Sequence, residues 1–181
     1  MSIRSIHCGI ALGSNIGDRL AHLKEARAAV EALHEEKTPP LVSAIYETEP
    51  VDCAPGTAAY LNAVMEIAYS GSPVVLLDAL QQIEGRLGRP SKRPRNAPRT
   101  IDLDVLYVGN QVLSNPEIVI PHPRLHSRRF VLAPLSEIRP ELILPGYHEP
   151  IAALLARLPR EPEARCVGGA GGAWETPLSI S

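Results

Sequence analysis

The chain has 181 residues, a formal net charge of −2, and 45% hydrophobic and 21% charged residues. That length predicts one domain whose core is large enough to fold without disulfide or metal staples. No apolar run approaches the roughly eighteen residues of a membrane span, and the near-neutral balance argues against a molecule that as a whole seeks nucleic acid.

The run from Ile6 to Leu12 beside Arg4 contains His7 and Gly9 and lacks a small-x-small cleavage site, so it reads as a core strand rather than a secretion signal. Gly13-Ser14-Asn15-Ile16-Gly17 breaks it, with Ser14 or Asn15 expected to cap the first helix. Leu20, Leu23, Ala26, Val30 and Leu33 recur at helical spacing until Thr38-Pro39-Pro40. Leu41 to Thr48 is the expected second strand, a loop runs from Glu49 to Ala58, and Tyr60 to Tyr69 alternates as a third. Ser72-Pro73 is a helix start, since proline suits the first helical position. Leu76, Leu80, Ile83 and Leu87 make its buried stripe, and Gly88 stops it.

Residues 89–99 contain Pro90, Pro94 and Pro98 and must form a loop. Ile101 to Val108 is the fourth strand, and Gly109-Asn110 turns into a short partner strand around Val112. Short helices are expected near 125–138 and 150–158, and 159–181, with Gly-Gly-Ala-Gly-Gly, has the composition of a loosely structured tail. The order β-α-β-β-α-β predicts an α+β, ferredoxin-like core in which helices pack on one face of an antiparallel sheet. Residues 1–158 form the expected domain. Cys8, Cys53 and Cys166 are too scattered for a disulfide framework or a zinc site, and a cytosolic protein is expected.

Half of the 18 Lys and Arg lie in two short segments. One holds Arg86, Arg89, Lys92, Arg93, Arg95 and Arg99; the other holds Arg124, Arg128 and Arg129 beside His122 and His126. Such local positive fields suit a small polyanion. Asp102-Leu103-Asp104 comes directly after the first segment, and on a strand its carboxylates share one face while Ile101, Leu103 and Val105 take the other. Like charges that close need a cation to compensate them. An oxygen-rich pair suits Mg²⁺, whose other positions go to waters and substrate phosphates. The spacing alone also fits a pair neutralised by arginines or two carboxylates at a solvated strand end. No P-loop motif is present, and Gly13 to Gly17 lacks dinucleotide-fingerprint spacing. Asn62 suits the edge of a heterocycle or a backbone bond, and Phe130, the only Phe, suits ring stacking or core packing.

Six pieces in unbroken order resemble the 6-hydroxymethyl-7,8-dihydropterin pyrophosphokinase family: ALGSNIGDR (11–19), YETEPV (46–51), YLNAV (60–64), IEGRLGR (83–89), PRTIDLDVL (98–106) and IPHPRLHSRRFVLAPL (120–135). The resemblance implies transfer of the β,γ-diphosphate of ATP to a hydroxymethyl-pterin, leaving AMP, in folate biosynthesis. It implies that Asp102 and Asp104 hold two Mg²⁺ ions and that Arg89 and Arg99 engage the phosphates and assist transfer. Glu84, Lys92, Arg99, Thr100, Ile101, His122 and Arg128 match the ATP site. Thr48, Val51, Tyr60, Asn62 and Phe130 match the pterin pocket, Phe130 stacking on the ring and Asn62 bonding its edge. The family commonly places Trp-Gly just before Pro98-Arg99, where this chain has Asn96-Ala97, so a looser seal by the closing loop 89–98 is expected. The partners expected are ATP and the pterin, with no nucleic acid or membrane, and a monomer is expected. The competing class is a ferredoxin-like RNA-binding module that stacks bases on sheet aromatics. Aromatics are only 4% here, and two aspartates on the sheet would repel a phosphate backbone.

Overall fold

The structure, a computed structural model, describes residues 5–50, 56, 58–88, 100–168 and 174. Val51, Arg89, Lys92, Arg99 and the 89–98 loop lie outside the described residues. The elements run β1 (Ile6–Ser14), α1 (Arg19–Glu31), β2 (Leu41–Val42), β3 (Ile45–Thr48), β4 (Tyr60–Tyr69), α2 (Pro73–Arg86) and β5 (Asp102–Val108). Then come β6 (Leu113–Ser114), β7 (Val119–Ile120), a 3-10 turn at Leu125–Ser127, α3 (Arg129–Ile138), α4 (Ile151–Arg157) and β8 (Ala164–Gly168). The main sheet is antiparallel, in the order β5-β1-β4-β3-β8, with β2 also paired to β4.

Helix α2 starts as its sequence predicts: the Ser72 side chain accepts from the Val75 N–H and Pro73 opens the first turn. Gly88 comes just after it at φ 86°, a left-handed backbone that a residue without Cβ adopts cheaply. Helix α1 is capped by Asp18, which accepts from the Ala21 N–H at 2.9 Å, and not by Ser14 or Asn15. Strand β1 continues through Ser14, so neither residue is at the helix start. The helix also ends at Glu31, well before Pro39-Pro40.

The expected strand 41–48 is two short ones. Between them the Ser43 hydroxyl accepts from the Val64 N–H, and the Ala44 N–H donates to the Glu137 carboxylate instead of to a neighbouring strand. Side chains there replace ladder bonds, so the strand breaks while its polar groups stay satisfied. The short strand after Gly109 pairs with β7 in a separate two-stranded sheet, not back onto β5.

Helices cover both faces of the sheet, not one. On one face Leu23, Ala26 and Val30 of α1 and Leu76, Leu80 and Ile83 of α2 meet Ile10, Leu12, Ala63, Met65, Leu103 and Val105. On the other, Val131, Leu132 and Leu135 of α3 and Ile151 of α4 pack with Val64, Leu106 and Tyr107. Strand β4 is therefore buried from Leu61 to Ala68 without a break. A strand covered on both sides loses the hydrophobic alternation that one-sided packing produces.

The expected loose tail also contributes structure. Strand β8 pairs with β3, and Trp174, 5% exposed, donates its indole N–H to the Ser43 carbonyl at 3.0 Å beneath the Arg27 guanidinium. An unpaired sheet edge is a template for pairing, and β8 covers that of β3.

At the Gly9 end of the aspartates' face sits a buried ionic cluster. Glu66, its side chain 2% exposed, accepts from Nε and Nη2 of Arg139 and from the Tyr107 hydroxyl, and lies 2.8 Å from His7 Nδ1. Burial would raise the Glu66 carboxyl; the hydrogen bonds from Arg139, Tyr107 and His7 outweigh it and hold the group below the ordinary carboxylate range. A register shift in β5 places Tyr107 opposite Gly9, where a Cβ would fall 2.1 Å from its ring. Only glycine leaves that ring its place.

Candidate active site

Strand β5 presents Asp102 and Asp104, both half-buried, on the face toward α3, while Ile101, Leu103 and Val105 enter the core beneath α1 and α2. Glu84 supports the pair from behind: 5% exposed on α2, it accepts from the Leu103 N–H, between the aspartates, at 2.7 Å. A carboxylate bond to a buried N–H ties α2 to the strand that carries the pair.

The register aligns Tyr46 of β3, Asn62 of β4, Gly13 of β1 and Asp102 of β5 in one row across the sheet. Asn62 and Asp102 are thus two strands apart, about 10 Å at ordinary strand spacing. Gly13 between them carries no side chain, and a Cβ there would lie 3.3 Å from Asn62 Oδ1. The sequence marks Gly13 only as a turn; its place in this row comes from pairing with both Asn62 and Asp102. Asn62 and Thr48, 6% and 5% exposed, share a hydrogen bond from Nδ2 to Oγ1 at 2.8 Å. That bond leaves the second Nδ2 hydrogen and the Thr48 hydroxyl hydrogen for a ligand. Tyr60, opposite Thr48, is half-buried on the same rim.

The segment ahead of α3 covers the aspartates. Arg128 Nη1 is 3.6 Å from Asp104 Oδ2, and its guanidinium carbon is 5.5 Å from the Phe130 ring centroid. One cation thus joins a carboxylate to an aromatic face. His122 is anchored by its backbone N–H on the Leu106 carbonyl at 2.8 Å. Burial, then the charges of Arg128 and Arg124, push its imidazole down to about 4, so it is neutral at physiological pH. Its Nδ1 accepts from the Arg124 N–H, which puts the ring proton on Nε2 as a donor.

The fold therefore gathers Asp102, Asp104, His122, Arg128, Phe130, Asn62, Thr48 and Tyr60 around one end of one sheet face. Ile101 does not present its side chain there; it is wholly buried on the opposite face. The Thr100 hydroxyl is buried with no hydrogen-bond partner among the described residues. Among the described residues no cluster of three or more His, Cys, Asp or Glu is arranged to hold a metal.

The model of the 7,8-dihydro-6-hydroxymethylpterin-pyrophosphokinase family matches residues 9–140. The chain belongs to that family. It is 46% identical over 129 residues to the 2-amino-4-hydroxy-6-hydroxymethyldihydropteridine pyrophosphokinase of Bacillus subtilis, covering 71% of this chain and 75% of the relative. It is 39% identical over 160 residues to the protein so named from Pseudomonas aeruginosa, covering 88% and 96%. Among solved structures, an HPPK-DHPS of Plasmodium falciparum superposes with a TM-score of 0.65 at 15% identity, covering 86% of this chain. The chain spans 46% of that longer protein, and at such identity the likeness is one of fold. The pyrophosphokinase match contains every expected site residue from Thr48 to Phe130 and leaves out β8 and Trp174. Neither the family nor its named members support the RNA-binding alternative.

Proposed function

We infer that this member of the pyrophosphokinase family transfers the β,γ-diphosphate of ATP to the hydroxymethyl oxygen of 6-hydroxymethyl-7,8-dihydropterin, a step of folate biosynthesis. The new bond joins that oxygen to the β-phosphorus, the bond from β-phosphorus to the α,β-bridging oxygen breaks, and AMP leaves. The observation that carries the reading is the row Asn62–Gly13–Asp102, which sets an amide and a carboxylate about 10 Å apart with only a glycine between them. A bicyclic heterocycle hydrogen-bonded at Asn62 and Thr48 and stacked on Phe130 reaches with its hydroxymethyl arm toward the aspartates. Positioning of this kind turns a bimolecular attack into an effectively unimolecular one.

Asp102 and Asp104 are the residues to hold Mg²⁺. Both are half-buried oxygen donors on one face, and two carboxylates leave most of an octahedral shell to water and phosphate. When bound, the metal supplies charge neutralisation to the diphosphate. Arg128 moves its charge from Asp104 to a phosphate oxygen, the neutral His122 donates from Nε2, and Arg89, Lys92 and Arg99 are assigned the role of engaging the phosphates. Glu84 acts from behind, as the support of Leu103. The strand order β5-β1-β4-β3, with α1 and α2 as connections, is the ferredoxin-like arrangement we assign to the core. We place the protein in the cytosol, in keeping with three cysteines too scattered along the chain for a disulfide framework.

The deciding assay mixes protein, MgATP and the reduced hydroxymethyl-pterin and separates the nucleotides. AMP with pterin diphosphate is expected; ADP would rule out diphosphate transfer. Asn62→Ala is expected to weaken pterin binding by ~1–3 kcal/mol, the cost of a lost hydrogen bond to a buried polar ligand, and to leave MgATP binding nearly intact. Calorimetry with each ligand checks this, and a larger effect on nucleotide than on pterin would move Asn62 out of the pterin pocket.

A further inference from the structure

Arg19 opens α1, on the face of the sheet opposite the aspartates. A cation in the first helical turn works against the helix dipole, so local preference does not account for it. Its side chain is 20% exposed and turns back to the sheet, where Nη1 donates to Glu47 Oε1 at 3.1 Å and to the Ala59 carbonyl at 2.6 Å. Glu47 also accepts from Arg165 of β8 at 2.7 Å. Glu47 immediately precedes Thr48, and Ala59 immediately precedes Tyr60. Thr48 and Tyr60 are themselves the last paired residues before the 49–59 connection. One guanidinium therefore ties together both strand ends at the base of that loop. Strand ends flanking a long connection are where a sheet opens most readily, and charge-assisted bonds from an ordered helix restrain them. Alternation along β3 puts Glu47 on the rear face and Thr48 on the site face, so the tie holds the site without entering it.

We infer that Arg19 is a positioning residue for the pterin end of the site, acting through Glu47 and the Ala59 carbonyl to fix the strand ends that carry Thr48, Tyr60 and Asn62. The inference rests on the reading of Thr48 and Asn62 as pterin contacts. It predicts a selective defect, because the aspartate strand β5 lies at the far side of the sheet from β3.

The test is steady-state kinetics on Arg19→Met and Arg19→Lys, with Asn62→Ala in parallel, measuring KM for pterin and for ATP separately beside thermal melts. Arg19→Met is expected to raise the pterin KM roughly tenfold, as for loss of a charge-assisted hydrogen bond, with the ATP KM within about twofold. Arg19→Lys, which keeps the charge and a donor, is expected to recover most of that loss. If Asn62→Ala raises the pterin KM and Arg19→Met does not, Arg19 is no positioning residue and the pterin pocket stands. If neither raises it, the pterin reading fails and the inference goes with it. A lower melting temperature with unchanged KM values, or an equal rise in both, makes Arg19 a general structural tie and overturns the inference. Should Arg19→Met not fold, Arg19→Gln carries the same comparison.

Discussion

Asp102→Asn and Asp104→Asn are each expected to lower diphosphate transfer on the order of 10³-fold while the protein stays folded. Alternate positions on β5 put both carboxylates on one face, where they repel each other. Replacing one by an amide relieves that repulsion but, on the proposed function, removes an oxygen assigned to hold Mg²⁺, and charge developing on the phosphates then goes uncompensated. Stability argues the same way. The Asp104–Arg128 contact is 3.6 Å long with side chains 38% and 18% exposed. A pair that open to solvent is worth only about 0–1 kcal/mol, comparable with the repulsion relieved, so loss of that contact by itself should barely move the melting temperature. Thermal melts without metal, set beside activity over a Mg²⁺ titration, decide it. A variant that melts markedly lower yet turns over normally would make the aspartates structural.

Arg139→Met should do the opposite: destabilise strongly and spare the chemistry. Glu66 has a side chain only 2% exposed and would keep the Tyr107 hydroxyl and His7 but lose its guanidinium. Breaking a buried pair from one side costs ~3–5 kcal/mol; with Arg139 itself 39% exposed the lower figure applies. For a domain of this size ~3 kcal/mol is a fall in Tm of about 6–12 °C. The pH dependence carries a sign. In the wild type Glu66 lies below the ordinary carboxylate range, so its stabilisation is complete above the unfolded-state value and is lost as pH falls through the folded one. In the variant, burial is opposed only by the hydrogen bonds from Tyr107 and His7, so the carboxyl sits higher than in the wild type and the deficit shrinks as pH falls from 7 toward 5. A deficit that stays flat over that range would mean the stranded carboxylate is not its cause. Below its own Tm the variant should retain turnover, because Glu66 and Asn62 are four residues apart on β4, about 13 Å.

The two clusters differ in how plainly the sequence announces them. Asp-Leu-Asp on an apolar strand declares a shared face by alternation alone, and the face is where the strand puts it. Glu66 sits in the middle of a strand with no charged neighbour, and its partner Arg139 is 73 positions away, beyond the reach of any local pattern. The same limit hides Arg19, whose acceptors at Glu47 and Ala59 lie 28 and 40 positions on. Arg128 is legible as part of a basic knot. Its contact with Asp104 and its stacking on Phe130 require α3 to be docked over β5.

Local sequence is enough for the existence of β1, α1, β4, α2 and β5, the stripes of α1 and α2, the Ser72-Pro73 start, the common face of Asp102 and Asp104, and the family. Each is written in short-range periodicity, capping chemistry or contiguous motifs. Only the assembled fold establishes that helices cover both faces, that the 41–48 strand breaks, and that the tail supplies β8. Those outcomes depend on what covers a surface and which distant group takes a backbone bond. The break at Ala44, for example, is stabilised by Glu137, 93 positions later. A buried N–H must find a partner, but the chain's local pattern does not say from where.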